Sequence, residues 1–154
     1  MKSVSISFLR LPHAYGLPLP TYKTEGASGM DLFAALPEDE PVELLPGMRS
    51  LIPGGYAVVI PPNYEGQVRS RSGLALNHGI SCLNSPGTID SDYRGEIKIL
   101  LINLGQENFL VERGMRIAQL VIAKFIRVSP SHVSVLHLEK TDRNDQGFGS
   151  TGNY

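Results

Sequence analysis

The chain predicts an all-β fold, a sandwich or barrel carrying one short helix and a C-terminal arm. Three observations lead there. Its apolar runs are short and closely spaced. Turn-forming residues, 16 glycines and 11 prolines in 154 residues, fall between those runs. Only one stretch, Ser72–Asn77 (SGLALN), invites a helix.

Taken in order, Val4, Ile6 and Phe8 alternate with Ser3, Ser5 and Ser7, the period of a half-buried strand. A small-residue turn, Gly26–Gly29, leads into a strand over Met30–Ala35. Short apolar runs at Val42–Leu45, Arg49–Ile52, Tyr56–Ile60, Gly66–Arg69 and Ile80–Leu83 read as further strands. Ser72 is placed to cap the helix and Gly79 to end it. Gly87–Lys98 (GTIDSDYRGEIK) reads as a β-hairpin, its glycines allowing geometries that other residues resist. The longer strands Ile97–Leu104 and Met115–Ile126 form the apolar centre, and Val133–Leu138 adds one more. After about Glu139 the character changes: Asp142–Tyr154 is polar and glycine-rich, with Phe148 as its large apolar residue. The expected organisation is a β domain over residues 1–140 and a flexible glycine-rich arm over 141–154.

The bulk numbers exclude several classes. A chain of 154 residues is one domain by length, and 42% hydrophobic with 19% charged residues is the composition of a globular protein. The one cysteine, Cys82, leaves no internal disulfide and fits a reducing, cytoplasmic setting. The start, MKSVSISFLRLP, alternates and is no secretory signal, and no run is long enough to span a membrane. A net charge of −1 argues against broad nucleic-acid binding but leaves room for a small polyanion held by a few arginines.

The Gly87–Lys98 segment carries the densest chemistry, with Asp90 as a possible general base and Tyr93 as a flat ring. A solvated surface hairpin and a ligand-bearing one both fit it. Arg71, Ser72 and Gly73 stand where the helix begins, where free N–H groups and the helix dipole favour an anion. Ser72 as a plain cap, with Arg71 solvated, is the alternative. The tail GFGSTG lacks the lysine and spacing of a P-loop, so it is either a disordered terminus or an arm that closes over a nucleotide. His13, His78, His132 and His137 show no metal-ligand spacing, and Cys82 lies in an apolar strand; all read as structural or surface residues.

Five islands, ASGMDL (Ala27–Leu32), RSGLAL (Arg71–Leu76), GTIDSDYRG, RIAQL (Arg116–Leu120) and RNDQGFGSTG (Arg143–Gly152), together resemble the five ordered motifs of the trimeric dUTP diphosphatase (dUTPase) family. The resemblance covers about residues 20–152 and implies a jelly-roll-like β fold in a homotrimer with active sites shared between subunits. It implies hydrolysis of dUTP to dUMP and pyrophosphate, lowering dUTP and supplying dUMP for thymidylate synthesis. Asp90 then maps to the base that activates water for in-line attack on the α-phosphorus, Gln119 with Arg116 nearby positions water and phosphate, and Asp31 partners Arg71. Arg71, Ser72 and Gly73 become the triphosphate cradle of a neighbouring subunit. Asn84, Thr88, Ile89 and Lys98 border the uracil, while Tyr93 lies against the deoxyribose and rejects UTP. From the arm, Arg143 reaches the terminal phosphate, Phe148 stacks on the base, and Gly149, Ser150 and Thr151 meet phosphate oxygens. Mg²⁺ is expected to be held by the phosphates and its own waters, without a protein metal cage. Asp92 reads as a turn residue. The arm departs from the family pattern at Asn144-Asp145-Gln146, where glycines are usual.

Two alternatives carry other functions. A dCTP deaminase shares this architecture but uses a glutamate on the strand after the hairpin; here IKILLI has no acid, and Leu100 stands about where one is expected. A nucleotide-binding module without catalysis is the other, and it would bind dUTP without consuming it.

Overall fold

The computed structural model describes residues 4–134 and 139–145. Within them the chain runs β1 (Ser7–Arg10), β2 (Gly29–Phe33), β3 (Val42–Leu44), β4 (Arg49–Val59), β5 (Tyr64–Arg69), α1 (Ser72–His78), β6 (Ile80–Cys82), β7 (Gly87–Ile89), β8 (Glu96–Asn103), β9 (Phe109–Val111) and β10 (Arg116–Lys124). Two four-stranded sheets, β1-β4-β8-β6 and β2-β10-β5-β7, are joined by a two-stranded ribbon, β3-β9. All the strand pairs are antiparallel. One core cluster draws on both large sheets, so the architecture is a jelly-roll-like sandwich.

Period-two patterning builds this core. Along β8, Ile97, Ile99, Leu101 and Asn103 are buried, while Glu96, Lys98, Leu100 and Ile102 face the other way. Ile52 and Val58 of β4, Val68 of β5, Leu32 of β2 and Leu120 of β10 meet them. Each fully buried aliphatic side chain contributes about 1.5–3 kcal/mol relative to exposure. Buried Asn103, on β8, is satisfied: its Nδ2 donates to the Leu44 and Glu107 carbonyls at 2.8 Å each, and its Oδ1 accepts from Gly105 N–H at 2.9 Å.

Several sequence expectations change. The runs at 49–52 and 56–60 belong to one long strand, β4, whose register against β8 shifts between Pro53 and Ala57. Gly55 makes that bulge possible, with φ at +76° and no room for a Cβ beside Ala14 and Ala35. The first strand begins at Ser7, later than the alternation implied, and residues 4–6 precede it. The strand expected over 30–35 is shifted to Gly29–Phe33, and β9 was not foreseen. Val133 and Ser134 are not in a strand, and 135–138 lie outside the described residues.

The helix also differs. Arg71, in an extended conformation, occupies the N-cap position without a side-chain cap bond, and Ser72 is the first helical residue. The cap is therefore not serine, because the chain leaves β5 only two residues earlier and turns at Arg71. The C-terminus is as read: Gly79 adopts the left-handed conformation, and its N–H bonds back to Ala75.

Most important for function, segment 87–98 is not a paired hairpin. β7 pairs with β5 in one sheet, whereas β8 pairs with β4 and β6 in the other. The turn between them, closed by Tyr93 N–H to the Asp90 carbonyl at 3.1 Å, carries the chain across the sandwich.

Candidate active site

Because β7 and β8 enter different sheets, they splay, and a cavity of 310 Å³ opens between them. A hydrogen-bonded hairpin would have closed this space. Its wall takes Asn84, Thr88, Ile89, Asp90, Tyr93 and Lys98, the sequence-predicted residues of the base and sugar side. Gly87 lets the wall come together, since a Cβ there would press within 3.2 Å of Asn84 Nδ2 and 3.3 Å of Val68 Cβ.

The turn holds its residues by local bonds. Arg94 Nη1 donates to the Ser91 and Tyr93 carbonyls at 2.7 and 2.9 Å. Tyr93 Oη donates to the Glu96 carbonyl at 2.9 Å, across Gly95, where any Cβ would overlap the phenol. The ring remains 41% exposed, enough to offer a face to a ligand. Asp90 is exposed and also borders a second cavity of 320 Å³ with Ser91, Asp92, Phe125 and Arg127.

A separate constellation forms where β2 and β10 of the β7 sheet meet the start of α1. Asp31 is buried, with Oδ1 3.5 Å from Arg71 Nε and Oδ2 3.3 Å from Arg116 Nη1. Arg71 Nη1 donates to the Arg116 carbonyl at 2.8 Å. Gln119 stands in register with Asp31 on one side and Arg69 on the other, so the three share a face. A buried carboxylate flanked by two guanidinium groups is stable where an unpaired one would not be. Arg71 keeps further N–H donors for an anion beside Ser72 and Gly73, which begin α1. None of Asp31, Arg71, Ser72, Gly73 or Gln119 lines the 310 Å³ cavity. Within the described residues the chain thus presents two separate clusters.

At the arm, Thr141 and Asn144 exchange bonds, Thr141 N–H to Asn144 Oδ1 at 3.2 Å and Asn144 N–H to Thr141 Oγ1 at 3.0 Å. Asn144 has φ at +46°, a conformation that asparagine shares with glycine better than most residues do. The departure from the glycine pattern at this position therefore keeps the backbone option open. Arg143 lies in this turn; Gln146, Phe148, Gly149, Ser150 and Thr151 lie outside the described residues.

Cys82 is buried, and burial pushes its thiol above the usual range, which keeps it protonated and inert. His78 packs on Phe109 with ring centroids 5.1 Å apart. His13 Nε2 lies 2.7 Å from Glu96 Oε1. Leu51, Val68, Glu96 and Leu100 also line the cavity. Sequence reasoning passed over Leu51 and Val68 because β4 and β5 are remote in sequence from the turn and their runs read as ordinary strands; Glu96 and Leu100, on β8, carried no signal of a cavity.

Residues 16–152 match the dUTPase family profile. The deoxyuridine 5'-triphosphate nucleotidohydrolase of Rhizobium meliloti (strain 1021) is 58% identical over 96% of this chain and 91% of its own length. The dUTPase of Staphylococcus bacteriophage 80alpha, solved with dUPNHPP, matches with a TM-score of 0.76 at 27% identity, covering 96% of this chain and 98% of that one. A mutant dUTPase from phage phi11 of S. aureus, solved with a structural Mg(II) ion, shares the fold at a TM-score of 0.75 and 22% identity over 87% of this chain and 99% of its own. With its profile match spanning both clusters and the splayed turn between the sheets, the chain belongs to the dUTPase family.

Proposed function

We propose that this protein hydrolyses dUTP to dUMP and pyrophosphate, with Asp90 as the base. One observation carries the reading: the cavity between β7 and β8 gathers Asn84, Thr88, Ile89, Asp90, Tyr93 and Lys98 around a space of 310 Å³. Uracil enters between Asn84 and the β7 backbone, its donors and acceptors met by the amide and by main-chain groups. The deoxyribose lies on the exposed face of Tyr93, which leaves no room for a 2′-hydroxyl. Asp90 then faces a water aligned with the α-phosphorus. The water oxygen bonds to phosphorus as the bond to the bridging oxygen of the β-phosphate breaks. The proton passes to Asp90, and pyrophosphate departs. Lowered dUTP and a supply of dUMP for thymidylate synthesis follow from that chemistry.

The triphosphate needs the second half-site. Arg71, Ser72 and Gly73, backed by Asp31 and with Gln119 alongside, form a cradle that one chain does not bring to the cavity. A homotrimer with shared sites meets that need. An apolar cleft of 720 Å³, lined by residues such as Phe8, Leu19, Met30 and Ile122, supports self-association, as do exposed Ile126 and Val128. The arm, through Arg143, Phe148, Gly149 and Ser150, closes over the bound nucleotide in this reading.

No three His, Cys, Asp or Glu side chains among the described residues form a group that could hold a metal ion. The magnesium of this reaction is assigned to the substrate's phosphate oxygens and to water, and it neutralises phosphate charge when bound. No helix of the described residues is long and apolar enough to cross a membrane. A deaminase reading finds no support: Leu100, on the cavity wall, is apolar where that reaction needs an acid.

Pyrophosphate release from dUTP, with dCTP, dTTP and UTP alongside in Mg²⁺, tests the proposal. Release from dUTP alone is expected. Ammonia release from dCTP, or binding of dUTP without turnover, would overturn it.

A further inference from the structure

We infer that Glu96 is a positioning residue for Tyr93, and that its carboxylate sets how strictly the site rejects a ribonucleotide. The inference rests on the proposed placement of the sugar against Tyr93. The Tyr93 phenol is anchored by a hydrogen bond from Oη to the Glu96 main-chain carbonyl at 2.9 Å. Glu96 begins β8, where it pairs with Ala57 of β4, and its side chain adds a second tie. Oε1 accepts from Gly55 N–H at 2.9 Å and lies 2.7 Å from His13 Nε2.

The partners are 41 and 83 residues away in sequence, so they tie the turn to two remote parts of the sandwich. Gly55 belongs to the β4 bulge, a rigid place because its neighbours Ala14 and Ala35 admit no Cβ there. His13 belongs to the short 3-10 turn Pro12–Ala14, which Arg113 braces by donating to the His13 carbonyl at 2.9 Å. The Glu96 side chain is only 13% exposed, so hydrogen bonds to its charge are poorly screened. Glu96 also stands between two spaces. With Leu51 and Lys98 it lines both the 310 Å³ cavity and a neighbouring one of 400 Å³ that His13, Ala35, Pro37 and Pro53 complete. Without its carboxylate the partition opens and this end of β8 loses its side-chain tie to Gly55 and His13, which loosens the support under the phenol's anchor.

The test measures kcat/KM for dUTP and for UTP in Glu96→Ala, Glu96→Gln and Tyr93→Ala, and in the double variant Glu96→Ala/Tyr93→Ala. The dUTP-to-UTP ratio should fall about tenfold in Glu96→Ala, about what one lost buried hydrogen bond is worth. Glu96→Gln, which keeps an acceptor for Gly55, should restore most of it. On the Tyr93→Ala background, Glu96→Ala should lower the ratio no further, because one residue acts through the other. An unchanged ratio in Glu96→Ala while Tyr93→Ala lowers it would overturn the role of Glu96 alone. An unchanged ratio in Tyr93→Ala would overturn the sugar placement itself. Should Glu96→Ala fail to fold, His13→Ala takes its place: a fall of about threefold supports the strut, and an unchanged ratio overturns it.

Discussion

Asp31 stands directly opposite Gln119 across the β2–β10 pair, and its two carboxylate oxygens are divided between Arg71 and Arg116. One buried anion thereby orients two cations and fixes the face on which Gln119 is displayed. Replacing Asp31 with Ala would leave both guanidinium groups without their shared partner. A stability loss of about 1–3 kcal/mol is expected, with weaker dUTP binding. Thermal unfolding and calorimetric titration with a non-hydrolysable dUTP analogue check the two effects separately, and Asp31→Asn should fall between the extremes.

Asp90 is exposed and borders the cavity, so its removal disturbs little packing. Asp90→Asn should lower kcat by about 10²–10⁴-fold, the usual worth of a positioned base. Analogue affinity should stay within a factor of a few. Turnover near that of the unmodified protein would remove Asp90 from the chemistry.

The separation of Asp90 from Arg71 makes a complementation test of the proposed shared site possible. Asp90→Ala and Arg71→Ala proteins should each be nearly inactive alone. Subunits mixed by denaturation and refolding should regain a substantial fraction of activity, because some sites then combine an intact Asp90 with an intact Arg71. A mixture no more active than its parents would place both residues in one subunit's site.

Deleting residues 143–154 should lower kcat strongly while leaving the state of association unchanged. Light scattering coupled to size exclusion, run beside the pyrophosphate assay, reads both at once. Loss of association in the shortened chain would move the arm's role from closure to assembly.

Asn103 offers a prediction about stability alone. It is fully buried and bonds the Leu44 and Glu107 carbonyls and Gly105 N–H. Asn103→Leu would strand two carbonyls and one N–H, for a loss of about 2–4 kcal/mol. Chemical denaturation should show it as a lower midpoint, and activity at low temperature should be nearly unaffected.

The cavity residues beside the turn were legible as a cluster in the sequence because they crowd into one short stretch, and the alternation in 97–104 made β8 equally plain. The left-handed end of α1 was legible too, since Gly79 is the residue such a turn favours. What the alternation could not convey was pairing. Residues 87–98 have the glycines and polar turn of a hairpin, yet their arms join different sheets. Nothing local distinguishes those outcomes, because each arm satisfies its main-chain groups with a strand distant in sequence.

The sequence by itself determined which chemical groups exist: a carboxylate and a phenol on one turn, an arginine at a helix start, a glycine-rich arm, and strands with one apolar face. Tertiary structure alone decided how far apart they stand. It opened the cavity by splaying β7 from β8. It separated Asp90 from the Asp31–Arg71–Arg116 cluster, and it brought Glu96 to Gly55 and His13. The physical reason is that side-chain periodicity is a local property of the backbone, whereas strand partners and buried polar contacts are chosen by long-range hydrogen bonding and packing.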